Sequence, residues 1–236
     1  METAVVTGTS TGIGFATTLH LARNGYRVFA GMRNLAKADP LRAAAAEAKL
    51  PIEVISIDVT SADSVTKAFA PIGPVDVLVN NAGIGGATPL ELTPEDEHVR
   101  MFDTNYFGAI RCIQAVLPSM RERRRGTIVN ITSIAGHAIH PFAGSAYSTS
   151  KAALSALTRE MAVEFAALGV RVNAVAPGEI ETAMVGPEYE SLIPRIPMHR
   201  MGTPEEVAAA VFQLCNPDFS YVTGTEIFVT GGQHLF

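Results

Sequence analysis

The sequence predicts an α/β fold in which a doubly wound sheet of about seven parallel strands is flanked by helices on both faces. Two observations predict it. Short β-branched runs alternate with helix-period segments almost from end to end of the 236 residues, and 47% of the residues are hydrophobic while 17% are charged. Alternating strands and helices imply parallel strands joined by right-handed crossovers. The composition can fill a large core and excludes a disordered chain.

Seven runs are predicted to be strands, because each is rich in β-branched residues, too short for a helix and bounded by Gly, Pro, Asn or Asp. In chain order they are Thr3–Thr7, Arg27–Ala30, Ile52–Ile57, Val75–Val79, Thr127–Ile131, Val170–Val175 and Glu226–Val229.

Five helices are predicted between these strands from apolar spacing and from their end residues. Threonine or serine caps, followed by proline and acidic residues in the first turn, suit the free amides and the positive end of a helix. The predicted helices are Gly12–Arg23, Ala62–Ala70 after the cap Ser61, a long helix from Thr93-Pro94-Glu95 to about Glu122, Ala146–Leu168, and a last one from Thr203-Pro204 to about Asn216.

A single domain is predicted over residues 1–236, because no internal repeat, low-complexity tract or linker interrupts this pattern. A chain of this length is within the range of one-domain α/β folds. Residues 178–202 form the longest stretch without a clear period. Long loops in compact domains often act as lids, and this one is expected to be the substrate loop.

Charge and cysteine content exclude several classes of function. The formal net charge of −5 provides no basic field for nucleic acid. Cys112 and Cys215 are too few for a disulfide framework and wrongly spaced for zinc. No apolar stretch reaches about 18 residues, and no signal segment opens the chain. We therefore expect a soluble cytoplasmic protein without a metal, nucleic-acid or membrane partner.

A glycine-rich turn joins the first predicted strand to the first predicted helix. It reads Thr7-Gly8-Thr9-Ser10-Thr11-Gly12-Ile13-Gly14. Gly8 can make a tight turn, Gly12 can let a pyrophosphate approach the backbone, and Gly14 can let the helix pack closely on the sheet. Free amides and the dipole at the helix start favour phosphate oxygens. The position of the turn favours dinucleotide binding over a merely structural role.

The spacing Gly-x-x-x-Gly-x-Gly, together with Asn80-Asn81-Ala82-Gly83 after the fourth predicted strand, resembles the single-domain branch of the short-chain dehydrogenase/reductase family. The resemblance extends from Thr7 to Gly231-Gly232 and implies a Rossmann-like fold. It also implies that the cofactor contacts Gly8, Ser10, Thr11, Gly12, Ile13, Gly14, Asp58, Val59, Asn81, Ala82, Gly83, Tyr147, Lys151, Pro177, Gly178, Ile180 and Thr182.

Tyr147 and Lys151 are four residues apart on the predicted Ala-rich helix, so they share one helix face. A nearby ammonium is expected to lower the phenol pKa from about 10 towards neutrality. Ser133 ends the fifth predicted strand and can donate to a carbonyl oxygen, although the adjacent Thr132 leaves this choice open. The resemblance implies that these three residues and Asn105 form the catalytic group, with Asn105 holding a water.

The end of the second predicted strand indicates which cofactor is preferred. Met32 lies where relatives that use NAD carry an acid, and Arg33 follows it. A guanidinium can bind a phosphate through two hydrogen bonds, so NADP(H) is favoured over NAD(H). The alternative is that Arg33 is a solvated surface residue.

These features predict an NADP(H)-dependent oxidoreductase that interconverts a carbonyl and an alcohol by hydride transfer. The pocket is expected to suit a hydrophobic or uncharged carbonyl, with 3-oxoacyl-[acyl-carrier-protein] reductase as an alternative and a non-catalytic NADP(H)-sensing regulator as another. Glu179 lies where relatives are often apolar, so it either points to solvent or biases the pocket against anions. The resemblance also implies a homodimer or homotetramer.

Overall fold

Seven parallel strands form one sheet in the computed structural model, which describes residues 1–183 and 186–235. The strand order is β3-β2-β1-β4-β5-β6-β7, so the predicted Rossmann-like doubly wound sheet is confirmed. The strands are β1 (Thr3–Thr7), β2 (Arg27–Met32), β3 (Ile52–Ser56), β4 (Val77–Asn80), β5 (Gly126–Ile131), β6 (Val170–Pro177) and β7 (Glu226–Val229).

Helices cover both faces of the sheet. They are α1 (Gly12–Arg23), α2 (Asp39–Glu47), α3 (Ala62–Phe69), α4 (Glu95–Phe102), α5 (Gly108–Arg123), α6 (Ser145–Ala166) and α7 (Pro204–Cys215). Alternate residues of β1 point to opposite faces, as the strand period requires. Val5 joins a core cluster with residues of α3, α5 and α6, whereas Ala4 and Val6 join one with residues of α1 and α7.

The crossover pattern changes direction at β1, which has β2 on one side and β4 on the other. In open α/β sheets, ligands bind in the crevice beyond the carboxyl ends of the strands at such a point. The turn between β1 and α1, residues 8–11, lies at this crevice and leads directly into α1.

Three features differ from the sequence prediction. The helix α2 was not expected, because only Leu41 and Ala45 of its nine residues are buried and its apolar period is weak. The predicted long helix is divided into α4 and α5 by a π-helical turn, Asp103–Phe107. The loop predicted to lack regular structure contains a 3-10 helix, Pro187–Arg195. Strand and helix ends otherwise shift by a few residues.

No helix within residues 1–183 and 186–235 combines the length and the hydropathy needed to cross a lipid bilayer.

Candidate active site

A cavity of ≈ 820 Å³ lies at the carboxyl ends of the central strands. The glycine turn forms one side, the residues after β4 and β5 form the floor, and the residues after β6 form the opposite side. Of the predicted site residues, the structure brings these together around it: Gly8, Ser10, Thr11, Gly12, Ile13, Gly14, Asn81, Gly83, Ser133, Tyr147, Lys151, Pro177, Gly178, Ile180 and Thr182.

The backbone of the glycine turn leaves no room for a side chain at Gly8 or Gly14. Gly8 has φ +70°, and a Cβ there would lie 2.7 Å from the Cα of Ala82. A Cβ on Gly14 would collide with the carbonyl oxygen of Gly8 and the side-chain amide of Asn81. The Thr11 side chain makes no capping hydrogen bond at the start of α1. The turn therefore offers open backbone and free helix amides, an arrangement that fits a pyrophosphate.

Asn80 and Asn81 link neighbouring strand ends through their side-chain amides. The Asn81 amide nitrogen donates to the carbonyl oxygens of Thr7 and Gly8, each at 2.9 Å. The Asn80 amide donates to Oδ1 of Asn130 at 2.9 Å, which links β4 to β5. These bonds hold the glycine turn against the floor of the cavity.

Three predicted cofactor residues lie at the β2–β3 end of the crevice, outside the lining of the cavity: Arg33, Asp58 and Val59. Burial acts to raise the pKa of Asp58, but hydrogen bonds from Thr60 and the positive charges of Arg33 and Arg111 outweigh it, and the net shift is downward. Arg33 is exposed, whereas Met32 beside it is 2% exposed. The solvent-exposed guanidinium of Arg33 and the ionised carboxylate of Asp58 therefore both lie at this end of the crevice.

Ser133 and Tyr147 face each other across the cavity floor. Ser133 follows β5, and Tyr147 lies in the first turn of α6. Burial and then the negative charge of Glu179 raise the pKa of the Tyr147 phenol, while a hydrogen bond with the Ser133 side chain lowers it, and the net shift is upward. Two hydroxyls thus converge at one point, where they can bind one carbonyl oxygen.

Lys151 is buried behind Tyr147. Its Nζ donates to the carbonyl oxygen of Ile131 at 2.7 Å and lies 5.9 Å from the centroid of the Tyr147 ring. Burial lowers the pKa of Lys151 to about 8. Because the pKa of Tyr147 is raised rather than lowered, the expectation that this ammonium brings the phenol pKa towards neutrality is wrong for the chain alone. Loss of solvation acts on both groups and favours their neutral forms.

Asn105 lies in the π-helical turn between α4 and α5, a conformation that is frequent at functional sites. Its amide donates to the Ile84 carbonyl and to Ser150 Oγ, both at 3.0 Å, and its Oδ1 accepts from the Ile84 amide at 2.8 Å. A Cβ on Gly83 would lie 3.2 Å from Asn105 Oδ1 and 3.4 Å from Lys151 Nζ. Asn105 and Lys151 therefore converge on Gly83, and the proposed water-holding role stays a prediction.

The segment after β6 forms the remaining wall. Ile180 pairs with Gly202 in an isolated parallel bridge, which holds the two ends of the substrate loop together. A Cβ on Gly12 would lie 3.2 Å from Thr182. Residues 184 and 185, part of the loop expected to line the pocket, lie outside the described residues, while Glu188 and Tyr189 of that loop line the cavity.

Glu179 points into the protein rather than to solvent. Its side chain is 3% exposed, and its Oε1 lies 2.5 Å from Nε2 of His140. Gln233 donates to the same oxygen at 3.1 Å. The direction of the Glu179 side chain was open from sequence alone. Gln233, which comes from the far end of the chain, was not expected at the site. The only sequence signal for this contact was an acid, Glu179, at a position that is often apolar in relatives.

The chain is similar to known proteins over almost its whole length. A family model described as Enoyl-(Acyl carrier protein) reductase matches residues 8–234. The chain is 42% identical to an acetoacetyl-CoA reductase of Rhizobium meliloti, covering 98% of each chain. It is 40% identical to the protein FixR of Bradyrhizobium diazoefficiens, covering 98% of this chain and 86% of that one.

Solved structures agree closely with the fold. A 3-oxoacyl-[acyl-carrier protein] reductase of Brucella melitensis with bound NAD has a TM-score of 0.94 and 33% identity, covering 99% of this chain and 91% of that one. An actinorhodin polyketide ketoreductase variant with NADPH has a TM-score of 0.94 and 32% identity, covering 100% of this chain and 98% of that one.

Proposed function

We propose that this chain, which belongs to the short-chain dehydrogenase/reductase family, is an NADP(H)-dependent reductase of uncharged 3-oxoacyl groups. Its membership makes it an oxidoreductase that uses a nicotinamide cofactor. The observation that carries this proposal is the convergence of Ser133 and Tyr147 on one point of a cavity walled by the glycine turn.

The proposed preference for NADP(H) rests on the β2–β3 end of the crevice. Arg33 is exposed and follows the buried Met32, so no acid there repels a 2′-phosphate. A guanidinium can donate two hydrogen bonds to such a phosphate. The glycine turn, the helix amides of α1 and Asp58 would hold the rest of the dinucleotide.

When bound, the nicotinamide supplies the hydride. The chain supplies the remaining chemistry. Ser133 and Tyr147 donate hydrogen bonds to the carbonyl oxygen of the substrate, and the Tyr147 hydroxyl gives its proton to that oxygen as negative charge develops there. Lys151 lies one helical turn from Tyr147 and would hold the nicotinamide ribose. Asn105 would support the path by which the Tyr147 proton is resupplied.

The walls of the cavity support an uncharged acyl substrate. The same cavity is lined by His140, Phe142, Ala143 and Tyr189. The Phe142 and Tyr189 rings pack with their centroids 4.9 Å apart. Aromatic surface of this kind binds an acyl chain better than a sugar phosphate. Two relatives named acetoacetyl-CoA reductase and 3-oxoacyl-[acyl-carrier-protein] reductase, at 42% and 38% identity, support the same substrate class.

Assembly as a homodimer or homotetramer is part of the proposal. Ala152, Ala153 and Ala156 of α6 are not fully buried in the single chain, so their small side chains permit close packing of a second helix.

The test is nicotinamide absorbance at 340 nm with acetoacetyl thioesters and simple ketones, using both cofactors in both directions. We expect NADPH to be consumed fastest with the 3-oxoacyl thioester. Tight NADPH binding without turnover of any substrate would instead favour a cofactor-sensing regulator and would overturn the proposal.

A further inference from the structure

Glu179 is a buried acid in the substrate pocket that the proposed chemistry does not use. Its side chain is 3% exposed and lines the same cavity as Tyr147. Burying a carboxylate costs free energy unless hydrogen-bond donors compensate. Two donors meet its Oε1, the Nε2 of His140 at 2.5 Å and the Nε2 of Gln233 at 3.1 Å. The acid is thus held firmly in the wall.

The tautomer of His140 determines the charge of this arrangement. The backbone amide of Phe142 donates to Nδ1 of His140 at 3.2 Å. A ring nitrogen that accepts a hydrogen bond carries no proton, so the ring proton is on Nε2 and points to Glu179. The imidazole is therefore neutral, and so is the Gln233 amide. The wall keeps the whole negative charge of the carboxylate.

The field of this charge reaches the reacting end of the pocket. Burial raises the pKa of Tyr147, and the negative charge of Glu179 raises it further. Burial and the charge of Glu179 also raise the pKa of Tyr189. Arg100 and Glu188 also line the cavity but are exposed, so solvent screens them. The buried Lys151 directs its ammonium to the Ile131 carbonyl.

We propose that Glu179, oriented by His140, is a specificity-determining residue that rejects substrates with a carboxylate close to the reacting carbonyl and admits their neutral counterparts. This inference deepens the proposed reduction of uncharged 3-oxoacyl groups and rests on it. It assigns to one residue the discrimination between a 3-oxo acid and its ester or thioester, which share a carbon skeleton and differ in charge. A repulsive group of this kind gives specificity by weakening the wrong complex.

The test is calorimetric binding of 3-hydroxybutyrate and methyl 3-hydroxybutyrate to the NADP-loaded protein. Glu179→Gln keeps the shape of the side chain and removes its charge. We expect this change to raise the affinity for the anion relative to the ester by about tenfold or more, equivalent to about 1.4 kcal/mol. Glu181→Gln is the matched control, because it removes an exposed charge two residues away, and it should leave the ratio unchanged.

Two further variants separate charge from shape and from folding. Glu179→Asp retains the charge and should retain the discrimination. Glu179→Met has a similar length and no charge, so it replaces the Gln variant in the same test if that variant does not fold.

An anion-to-ester ratio that stays the same after Glu179→Gln would overturn the inference, as would failure of every variant to bind either compound. Reduction of ethyl acetoacetate is followed in parallel. A different outcome is that the wild type fails to reduce ethyl acetoacetate while the ratio of anion to ester affinity still shifts in Glu179→Gln or Glu179→Met and not in Glu179→Asp. That result would refute the proposed function and leave the role of Glu179 in place.

Discussion

The ammonium of Lys151 lies inside the protein, bound to the carbonyl oxygen of Ile131, and burial lowers its pKa from the ordinary 10.5 to about 8. Burial also raises the pKa of its neighbour Tyr147. In the chain alone, both members of the pair are therefore biased towards their neutral forms. A neutral phenol is the form that can donate a proton to a carbonyl oxygen.

The buried lysine predicts a specific pH dependence of stability. Between about pH 8 and pH 10, the unfolded chain keeps the lysine proton while the folded chain loses it, so raising the pH favours folding. Relative to Lys151→Met, the wild type should gain about 2 kcal/mol in the free energy of unfolding over this range. Urea denaturation at several pH values checks this. A constant difference between the two proteins would contradict it.

Arg33 carries the proposed cofactor preference. Arg33→Asp introduces the acid that repels a 2′-phosphate and binds a 2′-hydroxyl. We expect the NADPH affinity to fall at least about tenfold, corresponding to the loss of one charge-assisted contact, and the NADH affinity to rise. Fluorescence titration with both cofactors measures it. Lys37→Asp is the control, because it makes the same charge change four residues away and should leave the ratio of NADPH to NADH affinity unaltered. An unaltered ratio in Arg33→Asp would show that Arg33 is only a surface residue.

At the scale of elements, helix ends with strong local signals were predicted from the sequence. The start of α7 is an example: Thr203 Oγ1 accepts from the Glu206 amide at 3.3 Å, and the Glu206 carboxylate accepts from the Thr203 amide at 2.8 Å. The helix α2 was not predicted, because its alanine-rich sequence buries little apolar surface. The π-helical turn at Asn105 depends on tertiary bonds to Ile84 and Ser150, which local sequence does not encode.

The capping box of α7 can be tested by Thr203→Ala. Loss of the threonine hydroxyl removes the side-chain acceptor of the Glu206 amide, and we expect the free energy of unfolding to fall by about 1 kcal/mol. Thr66→Ala is the control, since Thr66 is an exposed residue inside α3 whose hydroxyl bonds the Ala62 carbonyl. That change should be neutral or slightly stabilising. Equal losses of unfolding free energy in Thr203→Ala and Thr66→Ala would show that the capping box does not stabilise the protein.

At the scale of the whole molecule, the order of the strands places residues from distant parts of the chain at one edge of the sheet. The glycine turn and Ser133 were expected at one site because each follows the carboxyl end of a central strand. Tyr147 was added because the family resemblance places it, at the start of the next helix, beside Ser133. The contact between His140, Glu179 and Gln233 was not predictable. His140 and Gln233 are 39 and 54 residues from Glu179 in the chain, and no local sequence pattern pairs the three residues.

The most direct test of the account compares NADPH oxidation by the wild type and by Tyr147→Phe with an acetoacetyl thioester as substrate. The phenylalanine keeps the ring and removes the proton donor. The account predicts that turnover falls by at least about a hundredfold, while the NADPH affinity measured on the same samples changes little. Turnover by Tyr147→Phe at a rate near that of the wild type would contradict it.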